Sequence, residues 1–556
     1  LAATSGERPG VIFFDDVHWA DSASLELLTY LVRRLGEQPL CLLVTWRSEL
    51  VPTGHRLRQL LAGAQRAGGA TAIALSRLGP TSVQELVQSA AAGNPALPDE
   101  IAERLYSETE GLPIFLVEYL TAFTTGAVTA GDGDWSLPGG VRDLLHSRLA
   151  AVGETGWQLL NTAAVIGRSF DFDTLREASG RSEEETVNGL EELIAQGLVT
   201  DTRGGLDQRT LSYDFSHEKL RALVYEETSL ARRRLLHRRV ADVLSGRARG
   251  RRETESLASQ IARHYLRGGN EPAAADYFKL AGEHARALYA NAEALAHFRM
   301  ALALEHPATR ALHEAIGDLH TLLGEYAAAL ASYETAAALC EPEELANVEH
   351  KLAMVYMRRG QWDRAESHLE AAIGALGASG PPDARARIYA DWSLTARRLG
   401  HGEQAQELAG RALELAEAAA DARALAQAYN MLGMLASNRG DREDARRHLE
   451  RSLTLANGLN DPAARAAALN NLALAYGASG AIERALELAE AALALSAAQG
   501  DRHREAALHN NLADLLHAAG RADAAMAHLK QAVGIYAEIG IEAGALQPEI
   551  WKLAEW

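Results

Sequence analysis

Cysteine is almost absent: the 556 residues hold two, Cys41 in a short apolar run and Cys340 at the end of a helical segment. Two thiols so far apart build no metal site and fit a reducing cytosol, each as a buried small hydrophobe. No stretch of eighteen apolar residues occurs, so no membrane span is expected. No Met opens the chain and no charged-then-apolar leader follows, so no signal peptide is expected and the expected location is cytoplasmic. Positive charge is scarce, with 55 Lys and Arg against 74 Asp and Glu, a net of −19. That balance disfavours a broad nucleic-acid surface, because duplex binding needs cations to neutralise phosphates. The 19 histidines form no H-E-x-x-H and have no paired cysteines beside them, so no structural metal site is expected. One dipeptide is missing altogether: Gly-Lys occurs nowhere.

What is present starts at once. Val11-Ile12-Phe13-Phe14-Asp15-Asp16 is an apolar run ending in two carboxylates. A buried parallel strand tipped with acids can hold a hydrated Mg²⁺ beside nucleotide phosphates, the arrangement called Walker B. Asp15 would then hold the ion through water and Asp16 would polarise the attacking water. The plainer alternative is an Asp-Asp pair that only caps a loop. The complementary element, a Gly-rich loop ending in Gly-Lys-Ser/Thr, belongs upstream, where only ten residues precede Val11. The chain is therefore expected to be a fragment with its phosphate cradle missing.

Residues 1 to about 125 alternate strand and helix patterns, with strands expected at Val11–Asp15, Leu40–Trp46 and Thr71–Leu75. Between the first two, Ser22–Leu35 places Leu25, Leu28, Leu31, Val32 and Leu35 on one helical face, with Ser22 as N-cap. Such alternation implies a parallel sheet covered by helices. Helical patterns at Thr81–Ala91, Pro98–Ser107 and Pro113–Phe123 follow as a small lid. After the Gly-rich break Gly126–Gly140 come several short helices, then a strand pair, Gly197–Thr200 and Thr210–Phe215, and further helices to Leu244. Helices followed by a two-stranded wing are the layout of a winged helix. Arg232–Arg239 and Arg247–Arg252 are a solvated helix face plus a linker, in preference to a nucleic-acid patch, since they lack interleaved aromatics.

From about 255 the chain repeats itself. Gly360, Gly400, Gly440, Gly480 and Gly520 stand forty residues apart, as do Ala365, Ala405, Ala445, Ala485 and Ala525. Leu352, Trp392, Leu432, Leu472 and Leu512 keep the same step, each followed by Ala, Ser or Gly. Small residues let two helices approach, Gly ends the first helix, and large apolar side chains fill the groove to the next pair. The pattern resembles a long form of the tetratricopeptide repeat, about seven times over between 270 and 540, which implies a superhelix with a concave face.

The run Asp15-Asp16-Val17-His18-Trp19-Ala20-Asp21, followed by Ser24-Leu25-Glu26-Leu27-Leu28, resembles the signal-transduction ATPases with numerous domains. These are P-loop regulators, and the likeness is to the bacterial subgroup with LuxR-type or cyclase outputs and tetratricopeptide sensors. Leu42-Leu43-Val44-Thr45-Trp46-Arg47 is similar to their sensor-1 strand, Gly111-Leu112-Pro113 to their lid helix, and Phe215-Ser216-His217-Glu218 to the end of their winged helix. The resemblance implies Arg47 near the γ-phosphate, Pro113 near the base and His217 at the β-phosphate of ADP. Arg47 as a surface residue and His217 as a packing residue are the alternatives. His18 and Trp19 are expected to pack behind the strand.

The fold class so implied is multidomain: a partial α/β P-loop ATPase core (1–80) with a helical lid (81–138), a winged-helix domain (139–250), then an all-α tetratricopeptide superhelix (255–556). The implied cofactors are ATP or ADP and Mg²⁺. The implied function is a slow ATPase switch, expected to be inactive in residues 1–556 alone, that governs self-association and transcription. An inducer, peptide or protein would bind the concave face, and DNA would be met only through a domain outside this chain. Two other expectations stand beside it: a non-enzymatic repeat scaffold with a vestigial ATPase, and a DNA-binding winged helix with a peptide sensor.

Overall fold

The computed structural model describes residues 10–17, 20, 24–25, 28–29, 31–32, 40–46, 51, 54–66, 69–91, 101–124, 138–201, 211–248, 250–342 and 344–540. The chain divides into two compact units, Leu1–Arg247 and Ala248–Trp556.

The first unit opens with β1 (Gly10–Phe14) and β2 (Leu40–Val44), which pair in parallel with Gly10 opposite Leu40 and Phe14 opposite Val44. One face of this pair carries Ile12, Leu42 and Val44, which are half-buried. Leu42 and Val44 pack against a cluster built from Val17, Leu25, Leu28, Val51 and Leu57. The other face shows Val11, Phe13, Cys41 and Leu43, all exposed. The expected burial of Cys41 is thus corrected: alternation along β2 turns it to the face that no described element covers. The expected strand Thr71–Leu75 is also corrected. It is irregular, with Ile73 and Leu75 78% and 93% exposed, because an apolar run without a neighbouring strand has no ladder to join.

Helices α1 (Arg56–Arg66), α2 (Pro80–Ala91), α3 (Ile101–Thr109) and α4 (Pro113–Thr124) follow. The last three close around Val83, Val87, Leu105, Leu116 and Tyr119. Pro113 starts α4, where its missing N–H costs nothing. Next come α5 (Gly139–Leu149), α6 (Glu154–Ile166), β3 (Ser169–Asp171), α7 (Phe172–Ser179), α8 (Glu183–Ala195), β4 (Val199–Asp201), β5 (Ser212–Phe215), α9 (Glu218–Glu227) and α10 (Leu230–Arg247). Ser182 and Glu185 form a capping box at the start of α8. The strands make an antiparallel sheet in the order β3-β5-β4, so a third strand joins the expected pair. Phe115 of α4 enters the core of this region beside Val141, Leu159, Leu193 and Phe215. Arg247, expected in a linker, ends α10 and donates to Asp171 at 2.8 Å.

The second unit is helical throughout its described residues. After α11 (Arg251–Gly268) stand seven helix pairs: α12 and α13 (Glu271–Ala287, Asn291–Ala303), α14 and α15 (Thr309–Leu323, Tyr326–Ala338), α16 and α17 (Leu345–Arg358, Trp362–Leu376), α18 and α19 (Pro382–Arg398, Gly402–Ala419). The last three are α20 and α21 (Ala422–Asn438, Arg442–Asn457), α22 and α23 (Pro462–Ala478, Ile482–Gln499), α24 and α25 (Arg502–Ala518, Ala522–Glu538). The small residues in the first helices mark their crossings with the second. A Cβ on Gly433 would fall 2.5 Å from Leu449, and one on Gly282 would fall 2.5 Å from the Phe298 ring. Among the described residues no helix is long and apolar enough to cross a membrane.

Candidate functional site

The sequence-selected residues of the first unit fall into two clusters. Arg47, His18 and Trp19 lie outside the described residues.

The first cluster sits at the carboxyl ends of β1 and β2. Parallel pairing brings Thr45, just past β2, level with Asp15 and Asp16, just past β1. The Thr45 hydroxyl donates to Asp15 Oδ1 and accepts the Asp16 N–H at 2.9 Å. Main-chain bonds frame the turn, from Thr45 N to Phe14 O and from Val17 N to Thr45 O, each 3.0 Å. Asp16 takes φ 51°, a left-handed backbone that Asp adopts more readily than most residues. Both carboxylates are exposed. Mg²⁺ keeps most of its waters and uses one or two carboxylates plus phosphate oxygens, and this exposed donor set fits that demand. Among the described residues no group of three or more His, Cys, Asp or Glu is placed to hold a metal unaided. Thr45 is the residue that motif reading passes over, since a hydroxyl after a strand carries no signal until the strands are paired.

The second cluster joins the α3–α4 turn to the start of α9. Glu110, with φ 50°, receives a bidentate pair of bonds from Arg168 at 2.6 and 2.9 Å and a third from Arg77 at 2.5 Å. Arg77 also donates to Ser216 O at 2.6 Å. His217 is buried beside Phe115, with ring centroids 4.7 Å apart. Its Nδ1 accepts the Lys219 N–H at 3.0 Å, which caps α9, so Nε2 carries the proton and donates to Thr109 O at 3.0 Å. Both ring nitrogens are therefore committed to protein, and a phosphate contact requires one of these bonds to be released. Lys219 pairs with Glu108 across the same boundary. Pro113 stands exposed at the head of α4, two residues before Phe115.

Burial holds the His217 pKa below its usual 6.5, outweighing the bond to Thr109 and the nearby Glu110. Burial raises Glu110, but the Arg168 bond, His217 and Arg77 together bring it below 4.5. Both shifts carry one sign: the unfolded form binds protons more readily. The contact is fully held above pH 6.5 and weakens on acidification, first through His217 and then, below 4.5, through Glu110. Glu110→Gln is expected to cost the first unit about 1–2 kcal/mol at pH 7, discounted for the exposed arginines. It should also flatten the acid limb of stability below pH 4.5. Denaturant melts of both proteins from pH 4 to 8 check this.

In the second unit the first helices carry a row of amides. Asn471 donates to Asn430 at 3.1 Å and Asn511 to Asn470 at 2.8 Å, one repeat apart each time. Earlier repeats place charge at the corresponding places, as with Lys351 on Glu314 at 2.8 Å. A cleft of about 230 Å³ lies there, lined by Lys279, Arg286, Phe298, Glu314 and Asp318 among others.

Tetratricopeptide-repeat family models match residues 350–379, 425–460 and 464–538, so the second unit carries tetratricopeptide repeats. An uncharacterized protein of Rhizobium meliloti (strain 1021) is 26% identical over 329 residues, covering 55% of this chain and 29% of that protein. The chain thus spans less than a third of the length of the curated relative it matches. A solved structure of a Signal Transduction ATPase with Numerous Domains carrying a tetratricopeptide repeat sensor, from Pyrococcus horikoshii, is similar at 15% identity. The match covers 98% of this chain and 81% of that one, with a TM-score of 0.44. The Rap protein complexed with Competence and Sporulation Factor is similar at 14% identity, over 56% of this chain and 93% of that one, with a TM-score of 0.41.

Proposed function

We propose that this chain is part of an ATP/ADP-dependent signalling switch whose tetratricopeptide superhelix takes a protein or peptide partner. One observation carries the nucleotide half: Asp15, Asp16 and Thr45 converge at the carboxyl ends of two adjacent parallel strands. Ligands of open α/β sheets bind outside those ends. The repeats, a fold that builds extended binding surfaces, carry the partner half.

In this reading Asp15 would hold Mg²⁺ through water, and the ion would supply charge that offsets the phosphates. Thr45 fixes the rotamer of Asp15 and anchors the backbone of Asp16. Asp16 accepts a proton from the attacking water, and Arg47 stabilises charge on the terminal phosphoryl group. Pro113 borders the base. The β3-β5-β4 region acts as a winged helix, and His217 exchanges its bond to Thr109 for one to ADP. A partner on the repeats shifts the equilibrium only by its differential affinity for the two states. Self-association and transcriptional output follow from the ATP state.

The test is nucleotide binding and turnover by the full-length protein. Asp16→Asn is expected to keep ATP binding and slow hydrolysis by about a hundredfold or more. Unchanged turnover removes Asp16 from the mechanism. Failure of the full-length wild type to bind ATP or ADP leaves the second reading, a partner-binding scaffold, which the closed hydrogen-bonding of His217 favours.

A further inference from the structure

The repeats touch one another far out of sequence. The turns between first and second helices in the first three pairs meet the α23–α24 turn and the end of α25. Arg358, closing α16, donates both Nη atoms to the carboxylate of Asp501 at 2.7 and 2.8 Å, across 143 residues. Tyr326 Oη lies 2.8 Å from His503 Nδ1 across 177 residues, and Asn291 Nδ2 donates to Gln499 O at 2.9 Å across 208. Gly324 is so close to the end of α25 that a Cβ on it would fall 2.3 Å from Ile539 Cγ2. Early rim meets late rim in register, so the superhelix has completed a turn and closed on itself.

The chemistry of this seam differs from that between neighbouring repeats. Successive repeats share a continuous Leu and Ala core; the seam centres on an ion pair and two side-chain hydrogen bonds, with Ile539 against Gly324 and the His503 ring against Tyr326 as its apolar contacts, and Asp501 is only 2% exposed. Desolvating two charges offsets most of their attraction, so a buried pair of this kind contributes little net stability while it stays intact. A contact so balanced can open without unravelling the repeats on either side, whose cores are shared between sequence neighbours.

We propose that the Arg358–Asp501 seam is the closed position of a clasp, whose opening separates the early rim of the superhelix from the late one. The groups facing His503 set how the clasp answers to pH: Arg504 on its own helix and Asp501 at that helix's N-cap, Tyr326 from α15, Arg358 from α16 and Tyr536 from α25. Burial pushes His503 down to about 3, and burial's opposite pull on Asp501 is overcome by Arg358, so both groups take protons more readily once the seam opens. Closure is therefore full above pH 6.5 and weakens as pH falls, by about tenfold at pH 5.5 from His503 alone.

The experiment uses the full chain, with X-ray scattering for dimensions and hydrogen exchange for the α23–α24 turn. Wild type should be compact at pH 7.5. Arg358→Asp should enlarge the scattering dimensions with helical circular dichroism retained, and the swap Arg358→Asp with Asp501→Arg should restore them. Asn291→Ala with Tyr326→Phe leaves no charge unpaired and should speed exchange at residues 499–504 by roughly tenfold or more. An open wild type, or unchanged dimensions in Arg358→Asp with unchanged exchange in the milder pair, overturns the clasp. So does loss of helical signal in Arg358→Asp if the milder pair exchanges as wild type, for the seam is then ordinary core. None of these readings involves nucleotide, so failure here is distinct from failure of the switch.

Discussion

Gly111→Ala is expected to destabilise the first unit by about 3 kcal/mol or more, lowering its melting midpoint by roughly 6–12 °C. Two terms add. Gly111 has φ 71°, where any Cβ is strained, and that Cβ would lie 2.0 Å from the carbonyl oxygen of Leu78. The obstacle is main chain, so no rotamer can relieve it. The Leu78 N–H also donates to Gly111 O at 2.8 Å, so pushing the two segments apart breaks a hydrogen bond as well. Glu110 is the adjacent residue, and displacement carries its carboxylate away from Arg77 and Arg168. Gly197→Ala separates the terms: φ is 65° but nothing lies within 4 Å, so about 1 kcal/mol is expected. Equal losses in the two variants would show that the close approach to Leu78 is not what fixes this turn.

Leu512→Ala is expected to cost the second unit about 2–5 kcal/mol, the range for emptying a buried leucine site. Leu512 is fully buried among Leu472, Ala489, Leu508 and Leu516, between two successive repeats. Repeat stability is a sum of unit and nearest-neighbour terms, so the loss should concentrate in α22–α25. Hydrogen exchange should accelerate in those helices, with α18 and α19 spared. Uniform acceleration along the whole stack would mean that it unfolds as one block.

How much of this was legible depended on whether a residue's role is local. The forty-residue step is local, for it marks where one helix crosses the next, as at Gly433 over Leu449. The acid pair could be marked because an apolar run ending in carboxylates is contiguous. Thr45 could not be, since its importance arises only when β2 pairs with β1 thirty residues away from Asp15. The three residues of β3 are too few to alternate visibly, and their strand character comes from β5. Thr71–Leu75 fails in the opposite way: its composition suits a strand, but no described neighbour pairs with it. His217 was marked as a functional position, while the hub beside it, Glu110 with Arg77 and Arg168, looks in sequence like scattered surface charge. Arg358 and Asp501 looked the same, as charged helix ends, although the fold buries them together.

That last pairing has a numerical side. A spiral staircase that never meets itself tolerates the gain or loss of a step, and each forty-residue unit is interchangeable with the next. Once the tread bearing Arg358 must dock under the one bearing Asp501, the tally of steps between them is fixed by geometry. Duplication beyond Ile539 leaves that tally alone; deletion between α18 and α23 does not.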